Sequence, residues 1–85
     1  MKKEKIELLV EQYGDDMLKM DGYDDCIIGV VERCGQPTIF CYSTEKVLKR
    51  LMKEDGLTLE EAEEWFTYNQ LGAWVGAKTP CFLTK

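Results

Sequence analysis

The sequence predicts an α+β fold: three to four helices packed on a small sheet of two to three strands, with strands near residues 38–42 and 80–84. Three observations predict it. Apolar residues recur at helical spacing in several stretches that carry helix-capping residues at their ends. One short run, TIFCY (residues 38–42), is aromatic and β-branched, as strands are. The third is bulk: 85 residues, 45% hydrophobic and 32% charged, suit one globular domain over 1–85. A chain of this length buries only about 60–65% of its unfolded surface, so its core is thin.

The elements follow in order. Ile6, Leu9, Val10 and Tyr13 mark a helix over 4–13, stopped at Gly14 and peripheral to the rest. GDDMLKMDGYDD (14–25) is an acidic connection whose Met17, Leu18 and Met20 pack back on the core. CIIGVVERC (26–34) has two readings. Cys26, Ile27, Val30, Val31 and Cys34 form one helical face, with Asp24 as cap and Gly35 as stop, and the helix is the expectation. Its four β-branched residues support the alternative, a hairpin turning at CGQP. After the 38–42 strand, Ser43 or Thr44 caps a helix to about Lys53, with Val47, Leu48, Leu51 and Met52 inward and Asp55-Gly56 closing it. Thr58 and Glu61 form a capping box for a helix to about Leu71 that buries Leu59, Ala62, Trp65 and Phe66, with Asn69 a further candidate on that face. Residues 80–84 are a last strand. It pairs with 38–42, because a lone strand would leave its backbone groups unsatisfied.

Composition narrows the function classes. The net charge of −5 argues against direct nucleic-acid binding, which leaves a basic footprint. No apolar run reaches the roughly 20 residues of a membrane helix. MKKEKIELLVEQ lacks the apolar core of a signal peptide, so the expected location is the cytoplasm. Cys26, Cys41 and Cys81 lie beside Ile, Phe or Tyr, and all four cysteines, Cys34 included, are expected as reduced core thiols. Zinc is not expected without histidine or a Cys-x-x-Cys pair, and no cofactor is implied. Acids at 15, 16, 21, 24 and 25 fail the calcium-loop template, because Cys26 stands where the sharp turn needs glycine. With no histidine, no phosphate loop and no dinucleotide fingerprint, the chain is not expected to be an enzyme.

Two charged features remain. Lys46, Lys49, Arg50 and Lys53 form a basic stripe, a candidate for phosphate. The next helix carries Glu60, Glu61, Glu63 and Glu64, and the expectation is that stripe and patch neutralise each other across a tight helical hairpin. Polar and aromatic residues also gather beside glycines. Arg33, Gln36, Tyr42, Asn69 and Trp74 form a candidate binding set: the aromatics stack on a planar group, Arg33 meets a phosphate or carboxylate, and the amides orient it. The competing reading is that these residues cap helices and plug a thin core.

Three blocks carry a resemblance. YDDCIIGVVERCGQP, Y-x(3)-KVLKRLMKEDGLTLEEAEEWF and N-x(2)-GAWVG-x(2)-TPCF resemble a group of small uncharacterised proteins of tailed phages, prophages and their hosts, over residues 22–82. The group has no established activity, so the resemblance implies a context and no residue role. Short phage proteins without enzyme motifs often act by binding. The first expectation is therefore a non-enzymatic accessory protein that binds a small anionic ligand such as a nucleotide through Arg33, Gln36, Tyr42, Asn69 and Trp74, in a site shared between copies of a homo-oligomer. The alternative is an inhibitor or adaptor of a host defence protein, acting through Asp15, Asp16, Asp24, Asp25, Glu60 and Glu64. A plain structural module is the third.

Overall fold

Ser43 is where the chain changes from strand to helix. Its hydroxyl accepts the Lys46 backbone N–H, which satisfies one of the donors a helix start leaves open. A computed structural model describes all residues, 1–85. Its elements are α1 (Lys3–Tyr13), β1 (Ile27–Arg33), β2 (Gln36–Ser43), α2 (Thr44–Asp55), α3 (Leu59–Phe66) and β3 (Cys81–Leu83). The fold is α+β, with three α-helices and one three-stranded sheet.

The helical expectation for 26–34 is corrected: apart from a short turn at Asp24–Cys26, the segment is β1, the first arm of a hairpin. It pairs antiparallel with β2, Val30 opposite Phe40 and Val31 opposite Ile39, across a two-residue turn at Cys34-Gly35. The physical reason is non-local. TIFCY needs a partner along its whole length, and the β-branched pairs that face it supply one. Gly29 would also have cost a helix about 1 kcal/mol.

β2 is central. β3 lies on its other side in parallel, with Cys41 opposite Cys81 and Tyr42 opposite Phe82. Parallel neighbours need a long crossover, and α2 and α3 provide it. Gly56 ends α2 in the left-handed conformation (φ 65°) that residues with a Cβ avoid. The Thr58–Glu61 capping box then starts α3: Thr58 Oγ1 accepts the Glu61 N–H, and Glu61 Oε1 accepts the Thr58 N–H.

The core joins all layers: Ile6, Met17, Cys26, Ile27, Phe40, Tyr42, Val47, Leu51, Ala62 and Phe66. α1 was expected to be peripheral, yet Ile6 is buried in this core and Leu9, Val10 and Tyr13 pack against it. Phe82 of β3 meets Phe66 edge-on at 4.9 Å and Tyr42 at 5.8 Å. Two thiols fit the core expectation, Cys26 and Cys41. Cys81 is half-buried, and Cys34, at the hairpin turn, is exposed.

Candidate functional site

α3 does not continue as an α-helix to Leu71. Residues Thr67–Leu71 form a π turn, closed by the Gly72 N–H donating to the Thr67 carbonyl five residues back at 3.1 Å. A Cβ on Gly72 would stand 3.1 Å from that same oxygen, a tight contact that glycine avoids. Such turns occur often at functional sites. This one shifts the phase only of the residues that follow it; the exposure of large side chains begins before it, in α3 itself. Ala62 and Phe66 face inward, but Trp65, expected in the core, is 40% exposed, and Leu59 is also exposed. Tyr68 and Leu71 follow on the outside, at 78% and 57%.

The next loop presents Trp74 and Val75, at 73% and 67% exposure. It is not slack. Thr79 Oγ1 donates to the Gly76 carbonyl at 2.7 Å and accepts the Val75 N–H at 2.9 Å, folding 75–79 into a closed turn. Arg33 donates through Nη2 to the Ala77 carbonyl (2.9 Å) and to the Pro37 carbonyl (3.0 Å), which ties the loop to the hairpin. Lys78 forms an ion pair with Asp16, and its hydrogen bond, then its charge, holds the Asp16 carboxyl below the usual range. The backbone that follows Trp74 is therefore braced at two further points.

Beside this surface runs a crevice of about 360 Å³ between the Leu18–Met20 segment, the helix end and the last strand. Trp65, Asn69, Gln70, Val75 and Phe82 are among its walls. A second, shallower groove shares Trp65 and Asn69 and reaches Glu61, Glu64 and Tyr68.

The five expected ligand residues do not line one cavity. Tyr42 is fully buried, and its hydroxyl accepts the Met20 N–H at 2.7 Å. Burial pushes its pKa up to about 12. Its place in the core comes from its position on the central strand. The Arg33 guanidinium braces two backbone carbonyls. Gln36 is exposed beside the hairpin turn, at the register position opposite Arg33. Asn69 lines both the crevice and the groove, though its amide donates to the Trp65 carbonyl at 3.0 Å. Trp74 is the one large aromatic of the five that faces solvent.

The expected acidic surface divides in two. Asp16, Asp24 and Asp25 are held by Lys78, Lys19 and Arg50, while Asp15 is exposed. Glu60 and Glu64 on α3 form no ion pair. The expected neutralisation between α2 and α3 is corrected on the same ground. Arg50 turns to Asp25 and to Glu54 of its own helix (3.1 Å), and no ion pair joins the two helices. The acids of α3 thus keep their charge for solvent.

Tyr68, Leu71 and Val75 were missed by sequence reasoning. A signal was present: Trp65, Tyr68 and Leu71 recur every three residues, off the Ala62–Phe66 stripe. A search against protein-family models, curated proteins and solved structures finds no match for the chain.

Proposed function

We propose that the chain is a non-enzymatic accessory binding protein of the phage type implied by the resemblance, and that it holds a protein partner against the surface formed by residues 65–75. One observation carries this reading. Five large apolar side chains within eleven residues stand in solvent on a braced scaffold, in a chain whose core is otherwise short of bulk. Exposed apolar surface rimmed by charge marks association sites, and Trp and Tyr on rigid backbone lose little entropy when they are covered.

The partner's chemistry follows from charge. Residues 54–77 contain six acids, Glu54, Asp55, Glu60, Glu61, Glu63 and Glu64, and no Lys or Arg. Against −5 for the whole chain, that −6 leaves +1 for everything else. The fitting occupant is a segment of another protein with apolar anchors flanked by Lys or Arg. Complementary charge speeds its encounter and the aromatics hold it.

The test compares the wild type with a Tyr68→Ala/Trp74→Ala double variant by pull-down from host lysate and by light scattering. The variant is expected to keep its melting temperature and lose its partner, and the wild type to release the partner more readily as salt rises. Recovery of the same partner by the variant would overturn the reading. So would a wild-type dimer that the variant turns into a monomer, because a second copy would then cover the face.

A further inference from the structure

The cations of this acidic chain gather on the other helix of the crossover. Lys46, Lys49, Arg50 and Lys53 project from one side of α2 along about 10 Å of helix. They line an open cleft of about 470 Å³ bounded by Asp25, Cys26 and Glu54. A second cleft of about 290 Å³ shares Lys46 and Lys49 with it and adds Ser43, Glu45 and Lys85.

The four cations are not equivalent. Arg50 is fixed in place: Nη1 meets Asp25, Nε meets Glu54, and the guanidinium lies 5.6 Å from the centre of the Tyr23 ring. Its Nη2 donates to no protein group. Lys46, Lys49 and Lys53 take part in none of the chain's ion pairs, and all three are exposed. Amines at this spacing repel one another. Lys46 also sits in the first turn of α2, where the helix dipole disfavours a cation and favours an anion. None of the three lysines has a carboxylate bound to it, and an anion lying among them would relieve their mutual repulsion.

The lining selects the class of anion. Cys26 is the one hydrophobic residue of the larger cleft, so it offers no apolar wall for a base or an acyl chain. Recognition there rests on charge and hydrogen bonding over a line of amines, which suits a small anion with several charges in a row. We propose that this cleft binds an oligophosphate, with Lys46, Lys49 and Lys53 supplying the charge and Arg50 a guanidinium held ready by Asp25, Glu54 and Tyr23. The site lies on different residues from the 65–75 surface and stands or falls independently of it.

The probe is sodium tripolyphosphate, titrated calorimetrically at low ionic strength, with orthophosphate, sulfate and a single-stranded oligonucleotide as comparison arms. Tripolyphosphate is expected to bind saturably and raise the melting temperature. The single-centre anions are expected to bind more weakly, because they reach fewer amines at once. A Lys46→Gln/Lys49→Gln/Lys53→Gln variant, changed only at exposed positions, should lose about tenfold or more in affinity. Glu60→Gln/Glu64→Gln should leave affinity no weaker. Amide shifts on titration should centre on Asp25, Cys26 and α2. No saturable binding, undiminished affinity in the lysine variant, or shifts centred on 65–75 would overturn the proposal. Tighter binding of the oligonucleotide would overturn it in favour of a nucleic-acid partner.

Discussion

α2 and α3 follow one another, pack together and both start from side-chain caps, yet they treat their large side chains in opposite ways. α2 sinks Val47 and Leu51 completely into the core, packs Leu48 and Met52 against it, and gives solvent its lysines. α3 contributes only Ala62 and Phe66 to the core. It leaves Leu59 and Trp65 outside, and the π turn and loop after it add Tyr68, Leu71, Trp74 and Val75. The difference shows that an apolar residue on a helix is not thereby a core residue. The core of this chain is filled by the sheet, α2 and one narrow edge of α3. What remains apolar after that stands in solvent.

The sharpest way to break the comparison is to truncate the same side chain in both regions. Leu51→Ala should cost about 2–5 kcal/mol by denaturant unfolding, since it empties a fully buried site. Leu71→Ala should stay within about 0.5 kcal/mol. Equal losses would mean that the 65–75 surface is structural.

The next effect is on the brace. Arg33→Met keeps the aliphatic stem and removes the donors to Pro37 and Ala77. Losing these charge-assisted bonds should cost about 1–3 kcal/mol. Amide exchange should speed up at 75–79 while α2 stays protected; acceleration in both regions would contradict a local brace.

Thr58→Ala should cost about 1 kcal/mol by removing the α3 cap. Its partner adds a pH signature. The Thr58 backbone N–H, then its side chain, holds the Glu61 carboxyl below its ordinary range. The stability this bond contributes is therefore present above the ordinary carboxylate pKa and lost as pH falls through the lower, folded value. Glu61→Gln should flatten that part of the acid limb of a melting-temperature profile. An unchanged limb would refute the linkage.

Smallest in energy is thiol labelling in the native state at mildly alkaline pH. Cys34 is exposed and should react first. Burial, and after it the neighbouring Cys81 thiol, pushes the Cys41 pKa up to about 11, so it should label only on unfolding. Fast labelling of Cys41 would show that β3 detaches from β2.

Much of the fold can be read along the chain because its signals are local. The Ser43 cap, the Gly56 stop, the Thr58–Glu61 box and the strand character of TIFCY each depend on residues within a few positions. The separation of basic α2 from acidic 54–77 is likewise a property of the sequence alone. The candidate site was less legible, for two reasons. Tyr42 looks like a stacking residue at the end of a strand, and only the sheet order places that strand in the centre with its ring under Phe82. Trp65 looks like a core residue, and only the filled core keeps it outside.

The sequence by itself determined where α2 begins and ends, where α3 begins, that 38–42 must be a strand, and how charge is divided between the two crossover helices. Tertiary structure decided that 26–34 is a strand, that β3 runs parallel to β2, and which apolar residues stay in solvent. The reason is the range of the interactions. Caps and charges act within a turn or two of backbone, whereas strand pairing and burial depend on partners far away in the chain, and a small core has room for only some of the residues suited to it.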